Sequence, residues 1–129
     1  MKNLLMLDTC ACIVEMRRIV IGETLPDTAG TALSAIVVAE LEVAAHKHAD
    51  TRRRSSEIRL FLSKFEILPF DAEAASHYAE IRAHLEKKGQ VIGPMDLLIA
   101  AHARSLGAAL FTTNTREFKR VPGLRLITL

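Results

Sequence analysis

Three carboxylates and one amide stand inside apolar stretches. Asp8 closes Leu4-Leu5-Met6-Leu7 and is followed by Thr9. Glu40 lies in Ser34-Ala35-Ile36-Val37-Val38-Ala39-Glu40-Leu41, and Asp96 in Gly93-Pro94-Met95-Asp96-Leu97-Leu98-Ile99-Ala100-Ala101-His102. Asn114 follows Leu110-Phe111-Thr112-Thr113. A charge taken out of water is expensive unless it is paired or holds a metal. Carboxylates brought within a few ångström of one another repel, and their pKa values rise unless something positive joins them. A hard divalent cation, Mg²⁺ or Mn²⁺, supplies that charge. It prefers oxygen ligands, keeps several waters, and often takes only one or two carboxylates together with substrate phosphates. Such an ion activates water for in-line attack on a phosphodiester and stabilises the charged transition state. Carboxylates outside the coordination sphere orient its waters. The Asn114 amide can serve the same water or a phosphate without adding negative charge. The chemistry indicated is metal-dependent phosphoryl transfer or phosphodiester cleavage.

For residues so far apart to meet, the fold must bring the ends of several elements to one edge. Residues 3–7 read as a strand buried on both faces, the mark of a parallel sheet. Residues 10–20 read as a helix, 22–30 as a loop with Pro26 and Asp27, 33–36 as a short strand, and 37–48 as a helix. An amphipathic helix over 51–65 carries Ile58, Phe61, Leu62 and Phe65 on one stripe. A strand over 66–70 follows. Asp71 then caps a helix with Ala74, Tyr78, Ile81 and Leu85 inward and Gly89 as its stop. Gly93-Pro94 opens another helix, with proline where no N–H is needed, and Gly107 ends it. Strands over 109–113 and 125–129 flank a loop containing Pro122 and Gly123. The alternation predicts a three-layer α/β/α sandwich with a mostly parallel central sheet. Ligands of such sheets bind beyond the strands' carboxyl ends. Asp8 ends the first strand and Asn114 the fourth, while Glu40 and Asp96 fall in or near first turns of helices facing that edge.

The bulk composition narrows the class. The 129 residues suit one domain spanning 1–129. Apolar residues at 50% and charged residues at 25% exclude disordered and collagen-like chains. No apolar run reaches membrane-spanning length. The opening Met1-Lys2-Asn3-Leu4-Leu5-Met6-Leu7 has too short an apolar part for a signal peptide, and Asp8 follows at once; a cytoplasmic protein is expected. A net charge of +2 is too small by itself to imply nucleic acid. Cys10 and Cys12, one residue apart, cannot close an unstrained disulfide or make a structural zinc site, so both read as free thiols. His46 and His48 point to different faces of a helix. His77 and His84 sit among surface residues and His102 beside alanines, so all five read as surface or satisfied-core groups rather than zinc ligands.

The acidic stretches carry a resemblance. Met6-Leu7-Asp8-Thr9, Ser34 through Glu40-Leu41, Ile92 through Ala103, and Thr113-Asn114-Thr115-Arg116-Glu117-Phe118 with Arg120-Val121-Pro122-Gly123-Leu124 match four ordered motifs across nearly the whole chain. They resemble the PIN-domain ribonucleases and, within them, the VapC-type toxins of bacterial toxin–antitoxin pairs. The resemblance implies a PIN-like fold and a Mg²⁺- or Mn²⁺-dependent endoribonuclease that cleaves structured RNA, often transfer RNA. It implies Asp8 and Asp96 as metal ligands, Glu40 completing the catalytic set, and Asn114 at the family's fourth acidic position, with Glu117 as a lower-ranked substitute. It also implies a small cognate antitoxin as partner and a homodimer.

Two positions depart from the family pattern. Cys10 stands where an asparagine is usual, two residues after the first aspartate, and Thr113 where asparagine or aspartate is frequent. The alternative reading is therefore a catalytically weakened relative that binds RNA or sequesters an antitoxin. A phosphoacceptor receiver module fits less well, because Asp8 has no acidic partner beside it and no lysine follows the late strand. A haloacid-dehalogenase-like phosphatase would need an aspartate at Cys10. For RNA backbone contacts, Arg116, Lys119 and Arg120 follow Asn114 at the site rim, whereas Arg52-Arg53-Arg54 is equally a solvated helix start. With no tryptophan and 5% aromatics, base stacking is not the main recognition device.

Overall fold

The computed structural model describes residues 4–22 and 30–128. Its elements are β1 Leu5–Leu7, α1 Thr9–Val20, β2 Thr31–Ser34, α2 Ala35–Lys47, α3 Thr51–Leu62, β3 Glu66–Leu68, α4 Ala72–Lys87, α5 Pro94–Ser105, β4 Ala109–Thr112, α6 Thr115–Phe118 and β5 Arg125–Thr128. The strands form one five-stranded sheet in the order β3-β2-β1-β4-β5, and every pair is parallel. The α/β/α expectation holds, with a sheet that is wholly rather than mostly parallel. Receiver-type modules order their strands 2-1-3-4-5, so that alternative falls.

Parallel neighbours need long crossover connections, and here helices supply them. From β1 the chain steps outward to β2 and β3, then returns past β1 to β4 and β5. Right-handed crossovers place the helices of the outward and returning connections on opposite faces. The reversal makes the cleft beyond the carboxyl ends of β1 and β4 the switch point at which such sheets bind ligands.

The core lies on both sides of β1. Met6, Leu7, Leu33 and Leu110 are buried in the sheet. Helix α5 buries Leu97, Ile99, Ala100, Ala101, His102 and Ala103, and its alanines let the helix backbone come close to β2 and β4, which it contacts. Helix α4 lies along α5 and buries Ala74, Ile81 and Leu85, with Tyr78 half-buried. No described helix is long and apolar enough to cross a membrane.

Several boundaries differ from the sequence reading. β2 ends at Ser34 and α2 starts at Ala35, two residues early, because the Ser34 Oγ accepts the Ile36 N–H at 3.0 Å and caps the helix. Glu40 consequently lies in the second turn of α2 instead of its first. Helix α3 stops at Leu62 because the chain must turn into β3; Phe65 keeps its place on the stripe, its ring 5.0 Å from that of Phe61. β3 ends at Leu68 instead of residue 70, and β4 at Thr112. The segment after β4 forms the short helix α6, where the sequence reads as loop. Asn3, Leu129 and most of the 22–30 loop lie outside the described residues.

Ile99→Ala should destabilise the fold by about 2–5 kcal/mol in urea unfolding, since Ile99 is fully buried. Val91→Ala, at a half-exposed position, should stay within about 0.5 kcal/mol.

Candidate active site

Asp8 follows β1 directly and caps α1, with extended φ −80° and ψ 177°. Its N–H donates to the Phe111 carbonyl at 3.1 Å, which carries the β1–β4 ladder one step further. The register pairs Leu7 with Phe111, so Asp8 comes level with Thr112. Both carboxylate oxygens are held. Oδ1 accepts the Ala11 N–H at 2.8 Å, and Oδ2 accepts the Thr112 hydroxyl. Thr112 Oγ1 itself accepts the Asn114 N–H at 2.8 Å, so the hydroxyl proton goes to Asp8. The carboxylate is 1% exposed. Burial pushes its pKa up, Thr112 and Ala11 pull it back, and the Glu40 charge adds to the rise.

Glu40 reaches the same cleft from α2. Its Oε1 accepts the Thr9 hydroxyl at 2.5 Å, which ties α2 to the first turn of α1. Asp96 occupies the first turn of α5, after Gly93 and Pro94. Its carboxyl hydrogen-bonds that of Glu117 on α6. Burial first, then Glu117, Glu40 and Asp8, push Asp96 up to about 7. Glu117 is anchored by the Gly93 N–H, which donates to its Oε1 at 3.3 Å.

The structure thus brings Asp8, Glu40 and Asp96 within electrostatic reach of one another, with Glu117 beside Asp96. Asn114 enters differently: its side chain makes no cap hydrogen bond, and its backbone N–H fixes Thr112. Glu117, ranked below Asn114 from the sequence, is the fourth carboxylate of the cluster. Thr112 and Thr9, whose hydroxyls hold Asp8 and Glu40, carry no motif signal of their own. A hydroxyl in register with, or next to, an aspartate at a strand end was the available signal. Cys10 faces the cleft, where burial and then Asp8 and Asp96 push its thiol pKa up, and it hydrogen-bonds Thr113. The two departures from the family pattern therefore touch each other.

The donor set fits a hard cation. It is all oxygen, and no lysine or arginine among the described residues pairs with any of the four carboxylates. A Cβ on Gly93 would lie 3.6 Å from Asp96 Oδ2 and 3.8 Å from Glu117 Oε1, so the glycine keeps a space open between them. Among the described residues no three His, Cys, Asp or Glu side chains form a ready-made cage. An ion here would rest on Asp8 and Asp96 with water filling its remaining positions, the usual Mg²⁺ habit. At the rim, Arg116 and Lys119 are exposed, and Arg120 donates to the Val91 carbonyl at 3.2 Å. Arg53 and Arg54 instead pair with Asp50 and Glu57, as in a solvated helix start.

The PIN domain model matches residues 5–124. This chain belongs to the PIN-domain family. Among PIN-domain proteins it is 45% identical over 95 residues to ribonuclease VapC2 of Rickettsia felis, covering 74% of this chain and 71% of that one. It is 44% identical over 93 residues to the tRNA(fMet)-specific endonuclease VapC of Shigella flexneri, covering 72% and 70%. The fold superposes on that of DNA-bound VapBC from Salmonella typhimurium with a TM-score of 0.88, at 35% identity and 98% of both chains. These matches place this PIN domain in the VapC group.

Asp96 yields a stability test. A pKa raised in the fold from 3.8 to about 7 contributes stability that is complete below about pH 4 and lost as pH rises through 7. Calorimetry with a chelator present should show the parent's Tm falling across that window. Asp96→Asn should fall less and melt above the parent beyond pH 7; a lower Tm there would contradict the like-charge cluster.

Proposed function

We propose that this chain is a Mg²⁺- or Mn²⁺-dependent endoribonuclease, the toxin of a type II toxin–antitoxin pair acting in the cytoplasm. Its substrate class is structured RNA, with transfer RNA the first to test. The observation that carries the reading is the cluster of Asp8, Glu40, Asp96 and Glu117, unpaired with any described cation, at the sheet's switch point. Relatives named as ribonucleases and as a tRNA(fMet)-specific endonuclease support the activity. Structural neighbours that are VapBC complexes support a cognate antitoxin. The homodimer is carried as the expected assembly, to be checked by light scattering. The weakened-relative alternative draws no support from the site, since the acidic residues are present and clustered.

Asp8 and Asp96 would hold the ion. When bound, it supplies positive charge to the carboxylates and activates water for attack on the phosphodiester. The remaining work falls to the chain. Thr112 and the Ala11 N–H fix both Asp8 oxygens, so that carboxylate does not reorient when substrate arrives. Thr9 fixes Glu40, leaving Glu40 Oε2 to orient a water. Glu117, held by the Gly93 N–H, stays beside Asp96 as Asp96 takes up its charged role. Arg116 and Lys119 at the rim meet phosphate.

Asp8→Asn and Asp96→Asn should each lower RNA cleavage by more than about 100-fold, beyond the upper end of what loss of a supporting partner costs. Undiminished cleavage in both purified variants would remove the assignment. Glu117→Gln should lower cleavage by about 10–100-fold and Asn114→Ala by much less. The reverse ranking in single-turnover assays would return the fourth position to Asn114.

A further inference from the structure

Among the buried titratable groups unused by this reading, His102 links the helix that carries Asp96 to the cap of the helix that carries Glu40. His102 is 2% exposed and Ser34 is 0% exposed, with the imidazole Nδ1 2.7 Å from the Ser34 Oγ. Ser34 ends β2 and caps α2, and Glu40 follows within two helical turns. His102 lies within two turns after Asp96 on α5. The ring is fixed elsewhere as well. It hydrogen-bonds the Pro69 carbonyl, and its edge meets the Phe70 ring with centroids 5.5 Å apart. The Pro69 carbonyl can only accept, so it takes the single N–H of a neutral imidazole. The Ser34 hydroxyl, whose oxygen already accepts from Ile36, then donates to Nδ1.

We propose that His102 is a positioning residue for phosphodiester cleavage: through Ser34 it sets the separation of Glu40 on α2 from Asp96 on α5. Apolar contacts between these helices are tolerant of sliding, because dispersion has no direction. A hydrogen bond between two fully buried groups does not slide, because either group left unmatched is penalised. This link joins the cap of one acid-bearing helix to the body of the other. The proposal rests on the ribonuclease reading for its activity arm only.

The test uses Ser34→Ala, His102→Leu, which keeps bulk without the bond, and His102→Asn, which retains an acceptor near Nδ1. Each is assayed well below its melting transition, with folding checked by circular dichroism. Loss of the bond should lower kcat about tenfold or more, the range seen when a supporting partner is removed, while KM moves less than about twofold. His102→Asn should recover most of the loss, and Ser34→Ala combined with His102→Leu should be no slower than the worse single variant. An unchanged kcat per folded molecule, or fully additive losses, overturns the proposal. Crystal structures of the parent and Ser34→Ala form the second arm, with the Glu40–Asp96 separation expected to change by about 0.5 Å or more. An unchanged separation overturns the proposal whatever the assays give. If the parent cleaves no RNA, the ribonuclease reading fails, and this second arm still decides the positioning role.

Discussion

Burial of the Asp8 carboxylate at the junction of β1, α1 and β4 governs how the rest of the site is built. The group is out of water yet held on both oxygens, by a backbone N–H of its own helix and a hydroxyl of the neighbouring strand. Those bonds offset part of the desolvation and leave lone pairs on each oxygen for a further partner. They also make Asp8 a fixed point at the centre of the sheet, against which the helices place the other acids.

Around that point the carboxylates oppose one another. Asp96 and Glu117 are joined by a hydrogen bond, and each neighbour that pushes Asp96 upward is another carboxylate. Like charges gathered so closely repel one another, a cost the core must outweigh. The all-round burial of α5 is the counterweight: the helix that starts with Asp96 continues through Leu97, Ile99, Ala100 and Ala101 into the interior. Function and stability pull against each other within two turns of one helix.

The fold was largely legible because its signals are local. Gly89 and Gly107 end helices at φ +63° and +65°, Pro94 opens one, and Asp71 caps another, each visible within a few residues. The acids Asp8, Glu40 and Asp96 were legible because charge inside an apolar run is conspicuous. What escaped was set by distant partners. Thr112 looks like any strand threonine until the register places it level with Asp8, 104 positions away. Glu117 was in view from the sequence, but its rank above Asn114 appears only when α6 folds it over Gly93. β2 ends earlier than its apolar run suggests because Ser34 serves the strand, the helix cap and His102 together.

The amino-acid sequence by itself determined the alternation of strands and helices, the parallel sheet and the acids destined for its edge, since periodicity, capping and desolvation act over short distances. The tertiary structure alone decided strand order and register, and through them which hydroxyl meets Asp8, which carboxylate joins Asp96, and that Cys10 and Thr113 face each other. Those outcomes depend on hydrogen bonds and charge interactions between residues far apart in the chain, whose partners exist only once the sheet has closed around β1.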